Sequence, residues 1–480
     1  MFGALACTFA VLVVGQNPSP QIQAESAPVK VLPSVNRPVE VVGTPSAKET
    51  RDGVGTNAGG PVIPVSRPAI GSVPVVNTPI SVVHSQEAKI GKDDKNGKDD
   101  KDDKNGNGDK DEGPWRFIQK PVCGYTVTGF VYGTANVNPL NNGTRYNGPL
   151  TMSDQEGVFL NQLYLSIDRA MEDTFTLGGG VTLMYGNDYN ASQSFGWELR
   201  PGRLIGPGTQ NWNTGKDYGL ALPQLFAEFG TKKLSLVLGH FWTPIGHCVV
   251  PANGNFFNTQ PYSYMNGQPF DHWGGMVKYN PNDNWATYFG VVNGWGALDR
   301  QLDSAGLIFG AKYIADQSKW YNNFQMFIGQ EPENLGANYG NRTLVNNVTY
   351  YKASECLELV HEFTLGVQEN EGLGASTYYG FSPYLFRKIN DNLKFGIRAD
   401  IFRDPGGIVA GIRTGNPNTG PYNGTFYSVN AGLNWTPHGS KNLMVRPEIR
   451  YDWFDGNGRP YDAGNRKEML MLMVGAYMLF

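Results

Sequence analysis

From Trp115 to the last residue, apolar and polar side chains alternate in short stretches separated by turn-rich sequence. In LKFGIRADIF, Leu393, Phe395, Ile397, Ala399 and Ile401 share one face, while Lys394, Gly396, Arg398 and Asp400 share the other. LMVRPEIRYDW sets Leu443, Val445, Ile449, Tyr451 and Trp453 against Arg446, Glu448, Arg450 and Asp452. In CLELVHEFTLG, Leu357, Leu359, Phe363 and Leu365 oppose Glu358, Glu362 and Thr364. A period of two marks β-strands whose faces meet different surroundings. About sixteen such segments follow one another, each about ten to fourteen residues long. They lie near 122–134, 157–169, 174–186, 220–230, 234–243, 269–280, 284–294 and 304–315. The series continues near 318–330, 342–352, 355–367, 374–387, 393–404, 424–436, 441–453 and 467–480.

The connections between segments tend to alternate in length. Short ones include Ala170–Asp173, Thr231–Lys233, Pro281–Asp283, Asp316–Gln317, Lys388–Asn392 and Pro437–Ser440. Long ones include Ala135–Glu156, Asn187–Gly219, Pro244–Gln268, Pro405–Asn423 and Phe454–Arg466. A Greek-key sandwich has no reason to sort its loops in this way, whereas an up-and-down barrel across an outer membrane does. The expected fold is therefore all-β: a transmembrane antiparallel up-and-down β-barrel of about 16 strands (14–18), with both termini on the short-turn, periplasmic side. Aromatics crowd both strand ends, as Phe175, Phe229, Trp285, Trp320, Phe386, Trp435 and Phe480 near short turns, and as Tyr132, Tyr185, Trp242, Trp295 and Trp453 near long loops. Two such girdles suit lipid interfaces. Pro223, Pro383 and Pro447 fall inside proposed strands, where bulges or displaced strand ends must absorb the missing donor. His361 falls on the lipid-facing side of its strand.

Composition fits this picture. The 480 residues include 61 Gly, 24 Tyr, 25 Phe and 10 Trp, and 17% are charged, a profile of strands and turns rather than helical bundles. No run reaches the roughly 18 apolar residues of a spanning helix, and the mean hydropathy is −0.36. A net charge of −4 gives no basic surface for nucleic acid. Cys7, Cys123, Cys248 and Cys356 are too few and too dispersed for a disulfide framework. The apolar run from Leu5 to Gly15 has the length of a secretory h-region without a basic n-region, with cleavage after Gly15 or Ala24, so residues 1–24 are expected to be a signal peptide. Residues 25–114 read as a disordered spacer, first rich in Pro, Val and Ser, then in Lys, Asp, Asn and Gly. Asp103–Gly108 matches half of a calcium loop, but Pro114 stands where the bidentate Glu belongs. Residues 115–480 are expected to form the barrel.

Three stretches, LNQLYLSIDRAMEDTFTLGGGVTLMYGND, LPQLFAEFGTKKLSLVLGHFWTPIGHCVVPANGNFF and FDHWGGMVKYNPNDNWATYFGVVNGW, carry a family likeness. Their Gln-containing second strand, the TPIG turn at Thr243–Gly246 and the strand end Val291–Trp295 resemble the beta-barrel porin-2 (OmpL-like) family of outer membranes. The resemblance spans about 120 to 480 and is stronger in its first half. It implies an outer-membrane channel without catalytic residues or cofactors. The family often carries an acidic residue after the TPIG turn; here His247 and Cys248 follow. Gly475, Met478 and terminal Phe480 resemble the signal read by barrel-assembly machinery, with Met473 standing where a polar residue is usual.

No nucleophile elbow, phosphate loop, HExxH or CxxC is present. Glu358 and Glu362 could be read as a glycosidase pair, but a charged wet lumen explains them more simply. His240, His247, Cys248 and His272 match no zinc spacing. The third long loop, residues 244–268, contains no Asp, Glu, Lys or Arg. By analogy with general porins it is expected to fold inward and narrow the channel with Asn253, Asn255, Asn258, Gln260, Tyr262 and Tyr264. The lumen wall is expected to carry Lys278, Lys312, Lys394, Arg398, Arg446 and Arg450 against Asp168, Glu228, Glu358, Glu362, Asp400, Glu448 and Asp452, charges that nearly cancel. Uncharged constrictions select weakly among ions. The expectation is a porin passing small hydrophilic solutes, set in outer-membrane lipid and able to form a homo-oligomer. The alternatives are a non-conducting barrel for adhesion or anchoring, and a secreted all-β carbohydrate-active protein.

Overall fold

The computed structural model describes Arg116, Ile118 and residues 120–140, 156–199, 211–213, 217–298, 305–315, 319–332, 339–370, 374–407 and 422–480. The signal region 1–24 and the spacer 25–114 lie outside the described residues. The first eight strands are β1 (Thr126–Val137), β2 (Gly157–Arg169), β3 (Thr176–Gly186), β4 (Gly219–Gly230), β5 (Leu234–Trp242), β6 (Asp271–Asn282), β7 (Trp285–Val292) and β8 (Gly306–Ala315). The second eight are β9 (Trp320–Pro332), β10 (Tyr339–Ser354), β11 (Leu357–Asn370), β12 (Gly374–Asn390), β13 (Leu393–Asp404), β14 (Gly424–Trp435), β15 (Leu443–Gly456) and β16 (Glu468–Leu479). Each pairs antiparallel with its sequence neighbours, and β16 closes on β1, so the sheet is a 16-stranded closed barrel. Every segment expected from the alternation is a strand.

The closure explains the apolar C-terminus. Phe480 and Gly129 exchange backbone hydrogen bonds at 2.9 and 3.1 Å, leaving no free edge at the seam. On β16, Leu472, Val474 and Met478 face outward and are 40–53% exposed, while Met469, Met471 and Met473 are buried inside. The same inversion runs round the barrel. Leu163, Val181, Leu238, Phe289, Ile328, Phe363, Ile397, Val429 and Ile449 are all exposed, and Arg398, Arg446 and Arg450 are the largest fully buried side chains. A continuous apolar outer belt of this extent is costly in water and favourable in hydrocarbon. Phe175, Tyr185, Trp285, Trp435 and Trp453 lie exposed near its borders. Tyr132, Trp242, Trp295 and Phe386, expected in the girdles, are instead buried. Tyr132 and Phe386 occupy the inward phase of their strands.

The three prolines are accommodated in two ways. At Pro223 the β3–β4 ladder skips Leu222 and Pro223 between the Thr182–Gln224 and Met184–Ala221 pairs, a bulge. The freed Leu222 N–H donates to Glu198 (2.8 Å), and its carbonyl accepts from His240 Nδ1 (3.1 Å). Pro383 and Pro447 need no bulge. Pairing with β13 jumps from Phe381–Ile401 to Tyr384–Arg398, and pairing with β14 from Gly432–Glu448 to Trp435–Val445, with register unchanged. Each proline keeps its place opposite the other neighbour, at His361 and Val474. His361 is exposed on the outer face, its ring 6.1 Å from Phe381.

Candidate functional site

Loop 3, the connection from Thr243 to Phe270, turns into the barrel and touches most of its wall. Leaving β5, it crosses toward β9–β11. Asn323 donates to the Pro244 carbonyl (3.1 Å), Gly246 N–H to Asn346 (3.1 Å) and His247 N–H to Glu362 (3.2 Å). It then reaches β2, where Gln162 donates to the Val250 carbonyl (2.9 Å) and accepts from Ala252 N–H (3.0 Å). A bulge in β2 opposite Tyr132 and Gly133 lets neighbouring Asn161 and Gln162 both be buried. Both donate to Asp188, at 3.0 and 2.8 Å. Burial pushes the Asp188 carboxyl up to about 6 against the pull of those two donors.

The middle of loop 3 lies on β13–β15. Its carbonyls have no strand partner, and buried carbonyls must find donors. Arginines supply them. Arg446 donates to Ala252 and Asn255 carbonyls (2.8 and 2.7 Å), Arg398 to Thr259 (2.7 Å) and Arg450 to Gln260 (2.7 Å). Carboxylates hold two of the guanidiniums in turn, Asp400 that of Arg398 (3.1 Å) and Asp452 that of Arg450 (2.8 Å), whereas Arg446 lies against the rings of Tyr132 and Tyr477 (4.9 and 5.0 Å). Glu448 accepts from the backbone N–H of Asn258 (2.6 Å) and Thr259 (3.3 Å) and from the Thr259 hydroxyl. Asn258 is the tightest fit: it donates to the Arg446 carbonyl (2.8 Å) and accepts from Tyr132 (3.1 Å). A Cβ added at Gly475 would lie 1.9 Å from its Oδ1. The glycine expected as part of the assembly signal is the berth for this side chain.

The loop returns as helix α1 (Tyr262–Gly267), packed on β11, β12 and β13. Tyr262 donates to Asp452 (2.6 Å), Tyr378 to the Gly267 carbonyl (3.1 Å) and Gln268 to Glu362 (2.8 Å). Glu362 therefore clasps both ends of the loop. Apolar side chains complete the crossing. Val249, Val250, Phe257, Tyr264, Met265 and Phe270 share one cluster with Phe130, Tyr132 and Tyr164 on one wall and Val348, Val360, Tyr384 and Phe386 on another.

The expected constriction residues have separate placements. Asn253 is half-buried in a short turn, Ala252–Gly254. Asn255 folds back on Val249 N–H (2.8 Å) and its carbonyl. Asn258, Gln260, Tyr262 and Tyr264 are buried against wall or ring neighbours, with Tyr264 stacked on Phe270 at 4.9 Å. The expected wall charges divide in two. Glu362, Arg398, Asp400, Arg446, Glu448, Arg450 and Asp452 do not line open lumen; loop 3 covers them, because its backbone needs their donors and acceptors. Lys278, Lys312, Glu358 and Lys394 stay half-buried toward the short-turn end. There Lys278 meets Glu228 at 2.5 Å, Lys394 meets Glu358 at 2.9 Å, and Lys312 sits 4.5 Å from the Tyr321 ring centre. The sequence reading missed Asn161, Gln162, Asp188, Asn346 and Gln268. Only the glutamine of β2 stood out, as part of a family likeness.

Other chemistry-bearing residues have structural partners. Ser194 Oγ and Asp271 Oδ1 both approach His240 Nε2 (3.2 and 3.1 Å), whereas a nucleophilic relay needs the carboxylate on the opposite ring nitrogen. Burial pushes Glu198, which caps the Pro223 bulge, up to about 7. In loop 3, burial pushes His247 down to about 4, with Arg398 and Lys312 adding to the effect, and lifts the Cys248 thiol to about 12. Among the described residues no three His, Cys, Asp or Glu side chains gather as a metal site.

Residues 124–480 match the family model described as "Putative beta-barrel porin-2, OmpL-like". No curated protein matches the chain. Among solved structures, the outer membrane channel DcaP of Acinetobacter baumannii is similar at TM-score 0.51 and 11% identity, over 77% of this chain and 100% of that one. An anion-selective porin from Comamonas acidovorans is similar at TM-score 0.48 and 10% identity, over 74% and 99%. OmpT of Vibrio cholerae, an outer membrane protein, is similar at TM-score 0.48 and 11% identity, over 74% and 97%.

Proposed function

Because this chain belongs to the beta-barrel porin-2, OmpL-like family, an outer-membrane porin by descent, we propose that it is a narrow, weakly charge-selective conduit for small hydrophilic solutes, most of them uncharged. The observation that carries this reading is loop 3. It spans the barrel interior without a single Asp, Glu, Lys or Arg between residues 244 and 268. Most charges beside it are paired, in Arg398–Asp400 and Arg450–Asp452 beneath the loop and in Lys278–Glu228 and Lys394–Glu358 below it. Strong ion selectivity comes from rings of one sign. Mixed, paired charges do not supply it.

The test is the reversal potential of the purified protein in a planar bilayer under a salt gradient. A potential near zero, with low unitary conductance, is expected; a strong cation or anion preference would refute the reading. Wall-to-wall apolar packing of loop 3 favours a second reading, a barrel closed at rest. Deleting residues 248–266 separates the two. A rise from measurable conductance supports the narrow pore, and a rise from none supports the closed barrel. In either case the terminal Gly475, Met478 and Phe480 act as an assembly signal, the N-terminal spacer hangs in the periplasm, and the barrels associate as homo-oligomers.

A further inference from the structure

Beneath α1, an inward-facing row of side chains crosses three strands. Glu362 on β11 pairs in register with Ser382 on β12, and the pairs on either side of Ser382 set it opposite Asp400 on β13. All three are at least 98% buried. Glu362 Oε1 is fully used, accepting from Asn346, Gln268 and the backbone of His247. Asp400 Oδ2 accepts from Arg398 and Ser428. The other oxygens of the row, Glu362 Oε2, Asp400 Oδ1 and Ser382 Oγ, have no hydrogen-bond partner in the protein. Ser263 of α1 sits over the next inward row, Thr364–Gly380–Phe402, so close to Gly380 that an added Cβ there would lie 2.6 Å from its own. Its buried hydroxyl is likewise unpartnered.

The charges point the same way. Beneath loop 3, the carboxylates Glu362, Asp400, Glu448 and Asp452 face the guanidiniums of Arg398, Arg446 and Arg450, leaving one negative charge in surplus. Arg398 and Arg450 are committed to Asp400 and Asp452. The donors around Glu362 are all neutral. A buried carboxylate without a counter-charge is expensive unless it is protonated or gains a cation. Oxygen-only donors select hard cations, and two carboxylates, one already paired with Arg398, and one hydroxyl fall short of the ligand charge of a tight divalent site.

We propose that Glu362 Oε2, Asp400 Oδ1 and Ser382 Oγ form a site for one hard monovalent cation, Na⁺ or K⁺, which cancels the surplus charge and ties β11, β12 and β13 together. A ligand that binds only the folded barrel stabilises it by mass action. The test measures thermal unfolding of the detergent-solubilised full chain, by the mobility shift of folded barrel on unboiled gels, in NaCl, KCl or N-methylglucamine chloride at equal ionic strength and pH. The expected result is a midpoint several degrees higher in Na⁺ or K⁺, with the difference lost in Glu362→Gln. Should that variant fail to fold, Ser382→Ala must shrink the difference, and ²³Na linewidths of the wild-type sample must broaden and recover on adding K⁺. Equal midpoints in all three salts would overturn the proposal. So would a midpoint that responds only to Ca²⁺ and a chelator, or one that ignores every cation but rises in acid, the signature of a protonated Glu362.

Discussion

Loop 3 is held by two walls of opposite character. On β13–β15 its main chain meets three arginines, two of them backed by carboxylates, whereas on β2 and β9–β11 it meets amides and hydroxyls, with Glu362 the one charge in these contacts. The difference follows from what the chain offers. Between Ala252 and Gln260 it presents carbonyls in succession, which the long, forked guanidinium can reach from the wall. Near Gly246 and Val250 single groups need single partners, which short amides provide. The charged wall thus fixes the path of the loop, and the neutral wall closes its ends.

The sharpest way to break this contrast is to remove one charge from the first wall. Arg450→Ala leaves Asp452 buried without its bidentate partner and the Gln260 carbonyl without a donor. Breaking one side of a buried ion pair costs about 3–5 kcal/mol. The urea midpoint of the detergent-folded barrel should fall accordingly, and conductance should become larger and noisier as the loop loses its track. A variant as stable and as quiet as the parent would mean that the arginine is a bystander.

The matching change on the neutral wall is smaller. Asn346→Ala removes the acceptor for Gly246 N–H and a donor to Glu362. One unsatisfied neutral group costs about 1–3 kcal/mol, and lumen water can replace part of it. The same urea series should show a clear but lesser drop, with conductance little changed. If the two variants prove equally costly, the distinction between walls has no energetic content.

How far this arrangement could be read beforehand depends on the residue. Strand phase was legible because period-two alternation survives single exceptions, so even Pro383 and Pro447 left the register intact. The inward turn of loop 3 was suggested by its lack of charge and by analogy. What the loop does to the wall was not legible. Arg398 and Arg450 have the same alternation whether they face water or a loop backbone, and the distinction lies in contacts more than a hundred residues apart in sequence. Gly475 shows the same limit. Its place near the terminus suggested assembly, while its fit to Asn258 depends on a three-dimensional approach that no local pattern records.

The smallest effect tests where the two walls meet. His247 donates its backbone N–H to Glu362 on the neutral side, while its ring packs edge-on to Tyr384 at 4.9 Å. Its pKa lies at about 4 in the folded barrel, against an ordinary 6.5. The unfolded chain therefore takes up a proton that the folded barrel refuses as pH falls from about 6.5 to about 4. Stability linked to this ring is complete above that window and is lost through it, with a slope of at most about 1.4 kcal/mol per pH unit. Asp188 and Glu198, raised to about 6 and about 7, act in the opposite direction, since burying them becomes easier in acid. Comparison with His247→Gln cancels their contribution. The advantage of the parent over this variant should shrink by about 1 kcal/mol between neutral pH and pH 4, a partly wetted ring keeping only part of the full linkage. A constant difference across that range would show that the ring is solvated and that the seam between the two walls is open to water.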